Sequence, residues 1–184
     1  MGFLAKLVGA VGGGGIRRDA EKGKASAQLS LAIMYDDGVG VAQDRHEAVR
    51  WYTKAALQGE VLAQSVLGDK HRDGEGTGQD FEKAALWYRK AAEQGDARGM
   101  LNLGQLLEDG QGIAKDEAEA VKWFKKAASQ GSVVAQCSLG DMYRYGRGVT
   151  QDLAEAVKWY GMASEGGYVV AQVHLDILKS HGQA

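Results

Sequence analysis

Apolar residues recur along this chain with two nested spacings. The shorter is helical: Ala48, Trp51, Tyr52, Ala55 and Ala56 follow i, i+3, i+4, i+7 and i+8, the stripe of a helix buried along one side. The longer is a period of 36 residues, on which Trp51, Trp87, Trp123 and Trp159 all fall. An aromatic follows each tryptophan (Tyr52, Tyr88, Phe124, Tyr160), and Gly59, Gly95, Gly131 and Gly167 keep the same register. A second apolar column, Leu31, Leu67, Leu103, Leu139 and Leu175, marks another helix in every unit. The pattern predicts an all-α chain of helix-turn-helix repeats with the tryptophan column in its core.

Polar positions set the boundaries. Asp44, Asp80, Asp116 and Asp152 stand where an N-cap would open the second helix. Glu47, Glu119 and Glu155, three residues later, predict a capping box in three of the four units, and Lys83 breaks it in the other. Gly59 and its equivalents are expected to close that helix in a left-handed turn. Small residues in the first helices, Ala63, Gly68, Gly99, Gly104, Ala135 and Gly140, predict close approach of a neighbour.

Between the helices lies an acidic, glycine-broken stretch, Tyr35–Asp44, that has the look of a ligand loop. A calcium loop starting at Asp36 would need oxygen ligands at its third and fifth positions and glycine at its sixth, where the chain has Gly38, Gly40 and Val41. A nucleotide-binding loop would need a preceding strand, and none is predicted. In the fourth copy Arg144, Tyr145 and Arg147 replace the acids while both glycines persist. The stretch therefore reads as a turn.

The columns resemble the Sel-1-like repeat family, relatives of the tetratricopeptide repeats. The family pattern is most complete in "AQCSLGDMYRYGRGVTQDLAEAVKWYGMASEGG", from Ala135 to Gly167. The departures are Ala32 and Asp176 for glycine, His71 and Leu107 for tyrosine, and Thr77 and Ile113 for valine. The resemblance implies a right-handed α-α superhelix, a solenoid of about four and a half repeats. Units are expected at about residues 27–62, 63–98, 99–134 and 135–170 of a repeat domain spanning 23–184, with a capping helix over 171–184. Ahead of it, residues 1–22 divide into an amphipathic segment, a hinge at Gly12–Gly15 and a remnant second helix, because Asp19–Gln28 aligns one period before Ala55–Gln64. Relatives that staple each hairpin with a cysteine pair differ from this chain, whose one cysteine is Cys137.

Composition narrows the function. Twenty-two basic against twenty-four acidic residues give a net charge of −2, which disfavours a general nucleic-acid binder. No run approaches the roughly 20 apolar residues of a membrane span, so membrane contact would fall to the N-terminal face of Phe3, Leu4, Leu7, Val8 and Val11. A single cysteine forms no intrachain disulfide and favours the cytoplasm, with a periplasmic or membrane-peripheral location as the alternative. His46, His71, His174 and His181 lack tight metal-ligand spacing, and Cys137 is expected to be an ordinary thiol with no obvious base beside it. The expectation is no catalytic residue, no metal, no cofactor and a monomeric chain. Bases on the second helices (Arg50, Lys54, Arg89, Lys90, Lys122, Lys125, Lys126, Lys158) complement the helix dipole, two of them paired with Glu119 and Glu155.

By its resemblance the chain is expected to bind a protein or peptide on the concave face lined by first helices, as an adaptor or as a bacterial regulator of the antitoxin-like immunity kind. Positions spaced i, i+3, i+7 and i+10 supply the candidate contacts. They are Ser26, Leu29, Ile33 and Asp36; Leu62, Ser65, Asp69 and Arg72; Arg98, Leu101, Gln105 and Glu108; and Val134, Cys137, Asp141 and Arg144. The set runs from aliphatic or small near the helix starts to charged near the ends.

Overall fold

The computed structural model describes residues 12–180; the amphipathic segment expected ahead of Gly12 and the histidine at position 181 lie outside them. Among the described residues there are ten α-helices and no strand: α1 Gly12–Glu21, α2 Ala25–Asp37, α3 Arg45–Leu57, α4 Val61–Asp73, α5 Phe81–Glu93, α6 Ala97–Asp109, α7 Glu117–Ser129, α8 Val133–Tyr145, α9 Leu153–Glu165 and α10 Val169–Ser180. The chain forms two compact units that divide after Ala91, in the last turn of α5. In the first unit α1, α2, α3 and α4 each pack on the next; in the second, α6 through α10 do the same.

Each hairpin is locked by an aromatic ring seated on a small residue. A Cβ added to Gly68 would lie 2.3 Å from the ring of Tyr88, and one added to Gly140 would lie 2.4 Å from Tyr160. Gly104 stands in the same way against Phe124. The small column therefore admits the aromatic ring of the second helix, rather than a neighbouring backbone. Ala32, at this register in the first hairpin, is fully buried within the cluster that contains Tyr52.

That ring column, more than the tryptophans, is the centre of the core. Tyr88, Phe124 and Tyr160 are fully buried, whereas Trp51 and Trp159 are only half-buried and Trp87 and Trp123 just reach burial. The tryptophans instead carry part of the basic ridge. Lys54, Lys90 and Lys126, each three residues on, place their ammonium groups 3.9, 4.8 and 4.1 Å from the ring centres of Trp51, Trp87 and Trp123. These lysines thus cover aromatic surface as well as complement the helix ends.

The caps form, but not as boxes. Asp44 accepts from the backbone N–H of Glu47, Asp80 from Lys83, Asp116 from Glu119 and Asp152 from Glu155, at 2.8–3.0 Å. The reciprocal half of the box is replaced: the aspartate N–H groups donate to the carbonyls of Tyr35, His71, Leu107 and Tyr143 at the ends of the preceding helices. With that donor taken, Glu47 pairs with Arg50 and Glu155 with Lys158, while Glu119 accepts from the Trp123 indole. A loop glutamine closes the other side, since Gln43, Gln79 and Gln151 each donate to the carbonyl seven residues back.

The loop glycines have two separate duties. Gly38, Gly74, Gly110 and Gly146 cap the first helices in the left-handed region. The second glycine of the loop is a packing surface as well: a Cβ on Gly76 would lie 2.3 Å from the carbonyl oxygen of Arg45, and one on Gly148 the same distance from that of Glu117. Tyr35–Asp44 and its copies are turns, and those carrying Gly76 and Gly148 also seat on the start of the second helix in the hairpin before them.

At the N-terminal end, Gly12–Gly15 are helical where a hinge was expected. The helix they open takes the place of a second helix. Gln28 donates to the carbonyl of Ala20 as Gln64 does to Ala56 and Gln136 to Ala128, so α1 sits in the register of α3 and α7. Ile16 and Ala20 are buried with Leu31 and Met34.

Candidate functional site

The first helices present three kinds of residue where partner contacts were expected. Leu62 and Arg98 are exposed, and Ile33, Asp36, Arg72, Leu101, Gln105, Glu108, Asp141 and Arg144 are half-buried. Ser65, Asp69 and Cys137 are buried, at 1%, 8% and 5% exposure, and the expectation that they face solvent is not met.

Asp69 is buried because it serves the hairpin. The Tyr88 hydroxyl donates to its Oδ1 at 2.7 Å, and in the second unit Tyr160 donates to Asp141 Oδ1 at 2.6 Å. Nineteen residues separate each pair, and the sequence treats the pair as one device. In the third repeat Gln105 replaces the aspartate and Phe124 lacks the hydroxyl; in the first, Ile33 occupies the aspartate register and Tyr52 has Asp36 beside it instead. Burial, with these carboxylates adding to it, holds all three phenols far above the ordinary tyrosine value. An aromatic hydroxyl sunk beneath the first helix needs an acceptor, and a carboxylate at that register supplies it.

Charge pairs tie down several other candidates. In the first unit the Lys70 ammonium bridges Asp36 at 2.8 Å and Glu75 at 2.9 Å. Lys70 occupies the register of Met34, Leu106 and Met142, all buried apolar side chains. Burial pulls its pKa down, but the two carboxylates outweigh that and hold it above the ordinary value; Glu75 in turn is lowered by the hydrogen bond from Lys70. Arg72 lies 2.8 Å from Asp73 and 3.6 Å from Asp69. In the second unit Glu108 meets Arg147 at 2.6 Å, and burial, opposed by that guanidinium, raises its pKa.

Exposed or half-buried candidates include Leu62 in the first unit and Arg98, Leu101, Gln105 and Arg144 in the second, with Arg144 itself over the Tyr145 ring at 5.1 Å. At one register the four repeats read Ser26, Leu62, Arg98 and Val134, an exposed or half-buried position whose chemistry changes completely from repeat to repeat. The leucine column and the aromatic ring column hardly change. That contrast is what a repeat scaffold with a variable presenting surface looks like.

Sequence reasoning set His174 aside, yet the structure brings it to Cys137: Sγ and Nδ1 are 4.0 Å apart. The two are one period plus one residue apart, and in a stacked array that spacing makes side chains on successive first helices neighbours. Spacing read along the chain alone passes over such a pair.

Helical hairpins of fixed length, packed on their sequence neighbours within each unit, define an all-α repeat fold of the solenoid kind. The Sel1 repeat matches residues 25–60, 61–96, 97–132 and 133–168, and the chain belongs to the Sel1 repeat family. A protective antigen of uropathogenic Escherichia coli with an SLR fold is 41% identical over 91% of this chain, with a TM-score of 0.86. A Sel1 repeat protein from Oxalobacter formigenes is 36% identical over 87%, with a TM-score of 0.83. An immunity protein from Pseudomonas aeruginosa shares the fold at 22% identity, covering 91% of this chain and 66% of its own, with a TM-score of 0.53. The chain spans 36% of the length of the E. coli protein and 64% of the Oxalobacter one. No curated protein matches it. Among the described residues no helix is long and apolar enough to cross a membrane.

Proposed function

We propose that this chain is a non-catalytic interaction module that holds a protein or peptide on the side chains presented by its first helices. Sel1 repeat proteins are generally protein-interaction modules, and this family membership is the ground for the class. The observation that carries the reading is the contrast at one register: Ser26, Leu62, Arg98 and Val134 differ, while the leucine column beneath them does not. A binding surface uses such positions to tell partners apart.

The mixed character of the second unit's surface, Arg98 and Arg144 beside Leu101 and Gln105, suits a segment with an apolar anchor and acidic flanks. Alanine at Asp69 or Asp141 is a poor probe of binding, because each supports a tyrosine hydroxyl. The test is affinity capture from the host with the intact chain, compared with a triple Arg98→Ala, Leu101→Ala, Gln105→Ala variant. The partner retained by the intact chain is expected to be lost by the variant at an unchanged melting temperature. Equal capture by both would move the binding surface elsewhere.

An immunity-type role, the one the P. aeruginosa neighbour is named for, is the narrower form of the same reading. It requires one cognate protein held tightly, where an adaptor would yield several.

A further inference from the structure

Cys137 and Asp141 are four residues apart on α8 and so share one face of that helix. His174, on α10, comes to meet them. Its Nδ1 lies 4.0 Å from Cys137 Sγ and 3.5 Å from Asp141 Oδ1, and one ligand atom from each of the three lies within 4.8 Å of both the others. All three residues belong to the second unit.

The geometry distinguishes two chemistries. A nucleophilic relay places thiol and carboxylate on opposite nitrogens of the imidazole, so that one nitrogen takes the thiol proton while the other is held. Here both approaches are made to the same nitrogen. Three donor atoms converging on a common point is the arrangement of a metal site. A tetrahedral ion with bonds of about 2.0–2.3 Å keeps its ligands roughly 3.4–3.6 Å apart, so the 3.5 and 4.0 Å separations from Nδ1 need little contraction, and the thiol-to-carboxylate side, within 4.8 Å, closes by about 1 Å as the ion binds.

The surroundings support ligation. Tyr160 donates to Asp141 Oδ1 at 2.6 Å and stands edge-on to the His174 ring with centroids 4.9 Å apart, so one side chain braces both the carboxylate and the imidazole. The Asp141 and His174 side chains keep 29% and 24% of their exposure, which leaves room for an ion to enter and for water to complete its shell. Arg144, one turn along α8, is the positive charge on the opposing side of the balance.

Nor does the repeat require these residues. Along the sequence the same three registers read Leu29, Ile33 and Val66, then Ser65, Asp69 and Asn102, then Leu101, Gln105 and Ser138. Only one instance carries a thiol, a carboxylate and an imidazole together.

We propose that Cys137, Asp141 and His174 bind a borderline-soft divalent cation of the zinc class, with water as the remaining ligand, and that the ion ties α10 to α8. A thiolate and an imidazole favour zinc over magnesium or calcium, which take oxygen ligands. On binding, the thiol proton passes to solvent.

The experiment is titration of the chelator-treated, untagged full chain with Co²⁺, read by absorption. The expected result is a thiolate-to-cobalt charge-transfer band with intense visible bands of four-coordinate cobalt, saturating at equimolar metal and displaced by Zn²⁺. His174→Gln and Asp141→Asn should each weaken binding roughly tenfold or more, with metal-free circular dichroism unchanged. Cys137→Ser should abolish the charge-transfer band. Absence of that band in the intact chain at equimolar Co²⁺ would overturn the proposal. So would wild-type affinity in His174→Gln, which would mean that a lone thiol had taken the ion.

Discussion

Removing the hydroxyl from Tyr88 should expose how the hairpins use their buried carboxylates. Tyr88 is fully buried and donates to Asp69 Oδ1 at 2.7 Å. Tyr88→Phe leaves the ring, and its seat on Gly68, untouched. It removes one donor to a carboxylate held at 8% exposure, a hydrogen bond to a charged group contributing about 1.5–3 kcal/mol. Arg72, 3.6 Å from the same carboxylate, limits the penalty, so the expected loss is about 2 kcal/mol, or roughly 4–8 °C in melting temperature for a chain of this size. The third repeat already contains the compensated state, with Phe124 over Gln105. The double variant Tyr88→Phe, Asp69→Gln should therefore be more stable than the sum of its single variants by about 1–2 kcal/mol. The longer glutamine is present in both of its backgrounds, so its packing penalty cancels in the cycle. Urea unfolding followed by circular dichroism and by tryptophan fluorescence gives the four stabilities, provided the two probes coincide. A coupling below about 0.5 kcal/mol would refute the claim that tyrosine and aspartate act as a pair.

Three further substitutions test other links. Burial first, and Lys83 second, lower the pKa of His71, so the fold prefers its neutral ring. That contribution is complete above the ordinary histidine value of about 6.5 and is lost as pH falls from there through the folded pKa. His71→Leu, the residue that Leu107 supplies at the same register, should flatten the acid side of the stability profile between about pH 7 and about pH 5; parallel profiles for the two chains would count against it. At the turns, Gly131→Ala meets open space and suffers only the left-handed backbone, about 1–2 kcal/mol, whereas Gly148→Ala adds a clash with the Glu117 carbonyl. Gly148→Ala should thus unfold at distinctly lower urea concentration than Gly131→Ala, and equal midpoints would show that the loop yields.

The candidate surface was only partly legible beforehand. Periodicity placed Ser65, Asp69 and Cys137 on the presenting side of their helices, and by angle alone that was reasonable. Helix angle does not say what stands above a residue, however, and each of these is covered in the folded chain. Comparing the columns had signalled part of the answer. Aspartate at that register accompanies tyrosine nineteen residues on, and glutamine accompanies phenylalanine. Lys70 in a column of Met34, Leu106 and Met142 was a second signal, since an ammonium in an apolar register needs carboxylates beside it, as Asp36 and Glu75 prove to be.

By itself the sequence determined the repeat, the two helices of each unit, their caps and the glycine turns. These are local properties: a helical stripe, an N-cap oxygen and a left-handed glycine each depend on residues within a few positions of one another. Only the tertiary structure decided which carboxylates are framework and which tryptophans are half-covered, and that Cys137, Asp141 and His174 converge. Those depend on what one helix lays against the next.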